Sequence, residues 1–266
     1  MNADDPQIAY LSKDTKAKSL YFGLSSINKE SKTKHGADSI HCPNCSKRLM
    51  YKSIYFSHLG DWECPNCKIK RPNTDISEFS SYPLDGTYNK YNVLASALFA
   101  TNESIRQDIT QKSFTNFTPA FGRQEKIIYN GKNVQIFLSK NPTSFNESMQ
   151  TVKELNGKNL LILLNDRIPD GLDVSWIWDI NLEESIQDFD SVVVSGDRCY
   201  DMGLRIKYCD SSEFQISNFK FQIEPRIQKA IEIATANAAA SEVLYILPNY
   251  SAMLDIRKIL TGRKIL

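Results

Sequence analysis

Two Cys-Pro-Asn-Cys turns, Cys42 to Cys45 and Cys64 to Cys67, are separated by 18 residues. The pattern C-x2-C-x18-C-x2-C has the spacing of a four-thiolate zinc site. A two-residue gap lets both sulfurs of one turn face a single centre, and two such turns complete a tetrahedron. Backbone amides after the first cysteine of each turn can donate to sulfur and offset part of the thiolate charge. Four thiolates leave no open coordination position, so the expected metal is a structural Zn2+. His41 and His58 lie nearby and are expected to be surface or packing histidines, because four cysteines already fill such a site. Cys199 stands apart with no histidine close to it in sequence, and reads as a buried helix residue.

A second set of reactive groups follows the apolar run 159–164. It is the segment Asp170-Gly171-Leu172-Asp173-Val174-Ser175-Trp176-Ile177-Trp178-Asp179. A loop at the carboxyl end of a buried strand is where open α/β sheets place functional groups. Asp173 equally suits a helix cap before Val174-Ser175-Trp176, since aspartate is a preferred cap. Spacing alone leaves Asp170 and Asp179 as rival carboxylates. Trp176 and Trp178 fit either core packing or a partner anchor. The turn Ser195-Gly196-Asp197-Arg198 could present amides to an anion. No G-x-S-x-G elbow, H-E-x-x-H helix or G-x-x-x-x-G-K-[ST] phosphate loop occurs anywhere in the chain.

The elements that must position these groups follow from hydrophobic period. Residues 24–37 are polar and read as a linker. Residues 74–83 read as a strand, 89–100 as a helix, and 101–104 as the capped start of a second helix. Residues 126–129 and 134–138 read as strands around an Asn130-Gly131 hairpin turn. Helical patterns cover 145–155, 199–208, 226–240 and 250–259. Apolar strand cores fall at 159–164, 191–195 and 243–247. Uninterrupted apolar strands alternating with helices imply a parallel sheet covered on both faces. A domain boundary is expected near 118–124.

Composition narrows the function classes. The chain has 266 residues, 41% of them hydrophobic and 24% charged, with a net charge of +1. That argues against a globally basic nucleic-acid binder. Residues 1–72 hold 12 lysines and arginines against 7 aspartates and glutamates, so this part carries +5. The basic residues are scattered, and a ribbon that binds nucleic acid is the weakest of the alternatives. No apolar run reaches the roughly 20 residues of a membrane span. The first residues have neither the basic nor the apolar region of a signal peptide. The expectation is a cytoplasmic chain in a reducing compartment, where paired cysteines bind metal.

The segment Asp85-Gly86-Thr87-Tyr88-Asn89-Lys90-Tyr91-Asn92-Val93-Leu94-Ala95-Ser96-Ala97 resembles the G-x-[H/F]-N-x-x-N-x-x-A-A segment of the Mur ligase family, with Tyr88 where many relatives carry His or Phe. Asn2-Ala3-Asp4-Asp5-Pro6 is similar to the family's NADDP strand end. Phe121-Gly122-Arg123-Gln124-Glu125 is similar to its GRxE joint, and Lys140-Asn141-Pro142 to its HNP-type turn. A four-cysteine ribbon, the DGLDVSWIWD segment, Val194-Ser195-Gly196-Asp197-Arg198 and Leu247-Pro248-Asn249-Tyr250 together resemble the MurT-type branch of the family. The resemblance covers essentially the whole chain.

It implies an α/β fold: residues 1–120 as the tail of a Mur ligase central domain with a four-cysteine zinc ribbon inserted at about 39–72, then a Rossmann-like C-terminal domain over 121–266. The implied activity is ATP-dependent amidation of the D-glutamate α-carboxylate of lipid II through an acyl phosphate. Ammonia would come from a GatD-type glutaminase partner, with Zn2+ in the ribbon and ATP and Mg2+ in the complete enzyme. No nucleic acid is expected, and the lipid II substrate would place the work at the inner face of the cell membrane. By the resemblance Tyr88 and Asn92 would hold adenine, Arg123 would sit near nucleotide, and Asp173 would complete the partner's Cys-His-Asp triad. The chain departs from the family in lacking its phosphate loop. The expectation is therefore a fragment, a truncated product or one piece of a split ligase, poor at binding ATP on its own. A non-catalytic docking module for the glutaminase is the alternative.

Overall fold

The computed structural model describes residues 1–25, 39–209 and 220–263. The chain divides into two compact units, Met1–Thr118 and Pro119–Leu266.

In the first unit, α1 (Pro6–Tyr10) starts at Asp5, whose carboxylate accepts from the amides of Gln7 and Ile8 at 2.9 and 3.2 Å. Proline at the first helical position costs nothing there, because that amide has no helical partner. The cysteine turns flank an antiparallel hairpin of β1 (Met50–Phe56) and β2 (Leu59–Glu63). Then α2 (Thr87–Asn102) buries Tyr91, Val93, Leu94, Ala97 and Ala100, and α3 (Gln107–Thr115) follows. Gly86 precedes α2 at φ 90°, a conformation that disfavours a side chain.

The second unit is a six-stranded sheet. It comprises β3 (Arg123–Tyr129), β4 (Lys132–Phe137), β5 (Asn159–Leu163), β6 (Ser191–Ser195), β7 (Lys220–Ile223) and β8 (Val243–Pro248), in spatial order β3-β4-β8-β5-β6-β7. Within this sheet β3 and β4 pair antiparallel, through Asn130 and Gly131, both at positive φ as a tight hairpin turn requires. The other pairs are parallel. Helices α4 (Pro142–Glu154), α5 (Cys199–Lys207), α6 (Ile227–Asn237) and α7 (Tyr250–Thr261) complete the unit. Alternate residues of β5 feed opposite cores. Leu160 and Ile162 pack with Phe145, Met149 and Met202, while Leu161 and Leu163 pack with Ala230, Ile231 and Met253.

Four short 3-10 turns fill the β5–β6 connection: Ile168–Asp170, Ser175–Asp179, Leu182–Glu184 and Ile186–Asp188. Such a connection cannot satisfy its own backbone, and a buried arginine does part of this. Arg205 of α5, 3% exposed, donates to the carbonyls of Ile177 at 3.1 Å and Ile180 at 2.5 Å. Its Nη1 and Nη2 also donate to the two carboxylate oxygens of Glu183, at 2.7 and 2.9 Å.

The structure corrects several expectations. Residues 74–83 form no strand; Ile76 makes one isolated bridge to Phe22. The second helix does not start at 101–104, because α2 runs on to Asn102 and Arg106 caps α3. Leu24, expected in the linker, is 2% exposed in a core with Leu59, Tyr91 and Leu94. Residues 26–37 of that linker lie outside the described residues. The helix expected over 226–240 stops at Asn237.

Arg205→Ala would take the arginine donor from the Ile180 carbonyl and leave that of Ile177 with only the Ile180 amide at 3.4 Å. The expected loss is about 3 kcal/mol of unfolding free energy, read as a lower urea midpoint, with the far-ultraviolet spectrum retained.

Candidate functional site: a cysteine cage and a braced carboxylate loop

The sulfurs of Cys42, Cys45, Cys64 and Cys67 all lie within 4.8 Å of one another. Cys42 to Cys67 and Cys45 to Cys64 are each 3.5 Å. A tetrahedral zinc with bonds of about 2.3 Å needs sulfur–sulfur edges of roughly 3.8 Å, so the cage fits the ion. Each turn also aims amides at sulfur: Asn44 N donates to Cys42 at 3.4 Å and Cys67 N to Cys64 at 3.5 Å. Hydrogen bonds from the Asn66 side chain and the Lys47 amide draw the Cys45 thiol down to about 6, while burial pushes Cys42 up to about 12. His58 reaches Asp5 at 3.5 Å and joins no ligand group among the described residues, and His41 is exposed. Both histidines behave as the spacing argument expects.

Elsewhere in the first unit, Tyr88 and Asn92 occupy the first turns of α2 at i, i+4 spacing, and so share one helix face. Asn92 is exposed and donates to Asn89 Oδ1 at 3.4 Å. Asn89, half of the same sequence pattern, is buried and donates to the Asp85 carbonyl at 2.6 Å, closing the turn before the helix. Arg123 opens β3 in the second unit and is exposed. Beside it Glu125 accepts from the Gly122 amide at 2.9 Å and pairs with Arg257 of α7 at 2.9 Å.

Asp173 lies in the β5–β6 connection beyond the carboxyl end of β5, fully exposed. Its Oδ1 accepts from the Ser175 amide at 2.7 Å. That bond holds its carboxyl below the usual carboxylate range, so the group is ionised at neutral pH. The capping contact is real, and it leaves the carboxylate at the surface. The rival Asp170 is engaged differently. It accepts from the Ser251 amide at 2.9 Å and from the Ser251 hydroxyl, tying the loop to the start of α7.

The brace goes deeper at the carboxyl ends of the two central strands, β5 and β8. Asn165, 0% exposed, and Asn249, 3% exposed, exchange backbone–side-chain bonds at 3.1 and 2.6 Å. Asn165 also bonds Ser251 Oγ at 3.1 Å and accepts from the Asp197 amide at 2.9 Å. The turn at Gly196 therefore spends its amides internally. Arg198 N donates to the Leu164 carbonyl and Cys199 N to that of Gly196, which corrects the expectation of an anion cradle. A Cβ on Gly196, at φ 100°, would meet the Leu164 carbonyl oxygen at 2.5 Å.

Three large apolar side chains of the same β5–β6 connection are exposed. Ile168 is 91% exposed, Leu172 73% and Trp178 49%. Trp178 meets Tyr208 in a tilted contact at 6.1 Å and lies under the Arg205 guanidinium, whereas Trp176 packs inward on Phe145. Trp176 thus takes the packing role the sequence allows, and Trp178 remains half-exposed. Sequence reasoning missed Arg205, Asn165 and Asn249. The Leu247-Pro248-Asn249 and Leu164-Asn165 pairs at strand ends were the available signal.

The cage geometry carries its own expectation. The purified chain should hold close to one zinc per molecule by elemental analysis, and Cys64→Ser should lower that at least tenfold with the second unit still folded.

Residues 138–253 match the family described as MurT ligase C-terminal. The chain is 29% identical over 228 residues to the lipid II isoglutaminyl synthase (glutamine-hydrolyzing) subunit MurT of Staphylococcus aureus, covering 79% of this chain and 52% of that protein. It is 28% identical over 269 aligned positions to the MurT subunit of Streptococcus pneumoniae, covering 92% and 58%. The chain thus spans about half the length of the curated relatives it matches. Among solved structures, a pseudomurein peptide ligase type C from Methanothermus fervidus superposes with a TM-score of 0.68 at 23% identity, over 98% of this chain and 56% of that one. The MurF ligase from Thermotoga maritima, in complex with ADP, gives 0.53 at 15% identity over 96% and 50%. The chain has a Mur ligase-like fold, and its residues 138–253 match the MurT ligase C-terminal family.

Proposed function

We propose that this chain is the ligase-side subunit of a glutamine-dependent amidotransferase that converts the D-glutamate α-carboxylate of lipid II to D-isoglutamine. The observation that carries the reading is Asp173, an ionised carboxylate held at the surface of a braced loop in which Ile168, Leu172 and Trp178 are also exposed. Such a group can be lent to another protein. Its role would be to orient the histidine of a GatD-type glutaminase and to stabilise the imidazolium formed as the partner's cysteine attacks glutamine. Those apolar residues would supply the buried contacts of the interface.

The ligase half of the chemistry needs an activated carboxylate, because a free carboxylate has no leaving group. Transfer of the ATP γ-phosphoryl group to a carboxylate oxygen would give an acyl phosphate and ADP. Ammonia would then attack the carbonyl carbon, and phosphate would leave with the bonding pair. In this reading residues 1–120 are the tail of the central domain. Tyr88 would lie against the adenine face, and Asn92 would offer both a donor and an acceptor to its edge. Arg123 would sit near the nucleotide. Mg2+ would accompany ATP, and Zn2+ would be structural in the four-cysteine ribbon. The substrate is a lipid, so the work would be done at the inner membrane face by a cytoplasmic protein. No helix among the described residues is long and apolar enough to cross a membrane.

One observation favours a narrower second reading. These 266 residues contain no G-x-x-x-x-G-K-[ST] loop to hold a triphosphate. On that ground the 266 residues by themselves would dock and complete the glutaminase without ligase activity, and no nucleic acid is expected to bind.

Two measurements test these statements. The chain should co-purify with a GatD-type glutaminase, and Asp173→Asn should lower glutamine hydrolysis about a hundredfold or more without releasing the partner. An unchanged rate removes the triad role. In calorimetry the 266-residue chain should bind ATP at least tenfold more weakly than ligases carrying the loop.

A further inference from the structure

The Asp4 side chain is fully buried and joins three other segments of the first unit. Its Oδ1 accepts from Arg71 Nε at 2.5 Å, and its Oδ2 accepts from the Leu24 amide and the Tyr91 hydroxyl, both at 2.8 Å. Its carbonyl accepts from the Gly60 amide at 3.0 Å. A buried carboxylate is stable only when donors satisfy it, so each of these contacts constrains the others.

On one side this hub leads to the cysteine cage. Arg71 lies four residues beyond Cys67; its amide donates to the Trp62 carbonyl at 2.9 Å, and its guanidinium also reaches the Leu24 carbonyl at 3.0 Å. The Trp62 indole donates to the Ala3 carbonyl at 3.1 Å, and its ring shares a core with Cys42 and Cys64. The other side leads to α2. Tyr91 immediately precedes Asn92, and its ring meets Phe56 of the hairpin edge-on at 6.2 Å.

We propose that Asp4 is a positioning residue for α2, and that a metal in the cysteine cage, by fixing Trp62 and Arg71, fixes Asp4 and through it the turns of α2 that carry Tyr88 and Asn92. Without a metal the four sulfurs lose the bonds that hold the two turns together, and a ribbon of this size has too little core to hold its turns alone. Loss of the ribbon would withdraw Arg71 from Asp4 and leave the carboxylate short of donors. The Tyr91 contact, and with it the placement of α2, would loosen. The consequence for nucleotide rests on the reading of α2 given above; the mechanical coupling does not.

Hydrogen exchange read by mass spectrometry tests the coupling on the full chain, zinc-loaded and chelator-treated. Chelation is expected to speed exchange in α2 roughly tenfold, while β5, β6 and β8 keep their protection. Tyr91→Phe removes one hydroxyl and should leave zinc content and the protection of β1 and β2 intact. In that variant, zinc-loaded α2 should exchange roughly tenfold faster than in the parent chain, and chelation should add little more. If α2 keeps its protection when the ribbon loses its own, or if Tyr91→Phe exchanges like the parent, the proposal is overturned. Where chelation melts the whole unit, the Tyr91→Phe comparison alone decides. ADP titration of the same samples separates the two ideas. Absence of ADP binding in every state would remove the nucleotide role of α2 and leave the exchange result standing.

Discussion

The second unit depends on one constraint: the polar backbone of the β5–β6 connection must be satisfied without regular structure. A connection of this kind crosses the end of a parallel sheet, where water is partly excluded and unpaired amides are costly. Buried side chains meet the requirement. Asn165 and Asn249 close the crevice between adjacent strands β5 and β8, Asp170 fastens the loop to α7, and Arg205 holds its second half through two carbonyls. Asp173 sits between the two anchors. Its exposure is therefore compatible with a fixed position, which a carboxylate needs if it is to orient another group.

The closed crevice also separates this sheet from others of similar topology. Open α/β sheets commonly bind ligands where strand order reverses. Here that place is filled by an amide lattice, and the amides of the Gly196 turn are spent on Asn165, Leu164 and their neighbours. In the first unit the organising groups are different: a thiolate cage on one side, a helix with a surface amide on the other, and a buried carboxylate between them.

Much of this was legible in the residues, and what was hidden shares a cause. The cysteine spacing defined the cage because ligand geometry fixes the gaps. The apolar runs at 159–164, 191–195 and 243–247 revealed β5, β6 and β8 because strands covered on both faces need apolar residues throughout. Lys220–Ile223 is short and lies at the sheet edge, so hydrophobic period gave it no weight. Arg205 reads as a surface position in a helix, and only the loop packed over it makes it a core residue. Asn165 and Asn249 look like ordinary strand-end polar residues until the tertiary fold brings them together. The region 74–83 has strand-forming residues but finds only an isolated bridge. Polar cores are set by long-range pairing, to which local periodicity is blind.

The central claim is that the Asp173 carboxylate reaches a histidine on another protein. The most direct measurement labels only the glutaminase with nitrogen-15 at histidine and follows the ring protons by NMR as this chain is added. The account predicts that one histidine gains a strongly downfield, exchange-protected ring proton in the complex, and that Asp173→Asn abolishes that signal while the complex stays intact. A complex in which no histidine responds, or in which the signal persists with asparagine at position 173, would contradict it.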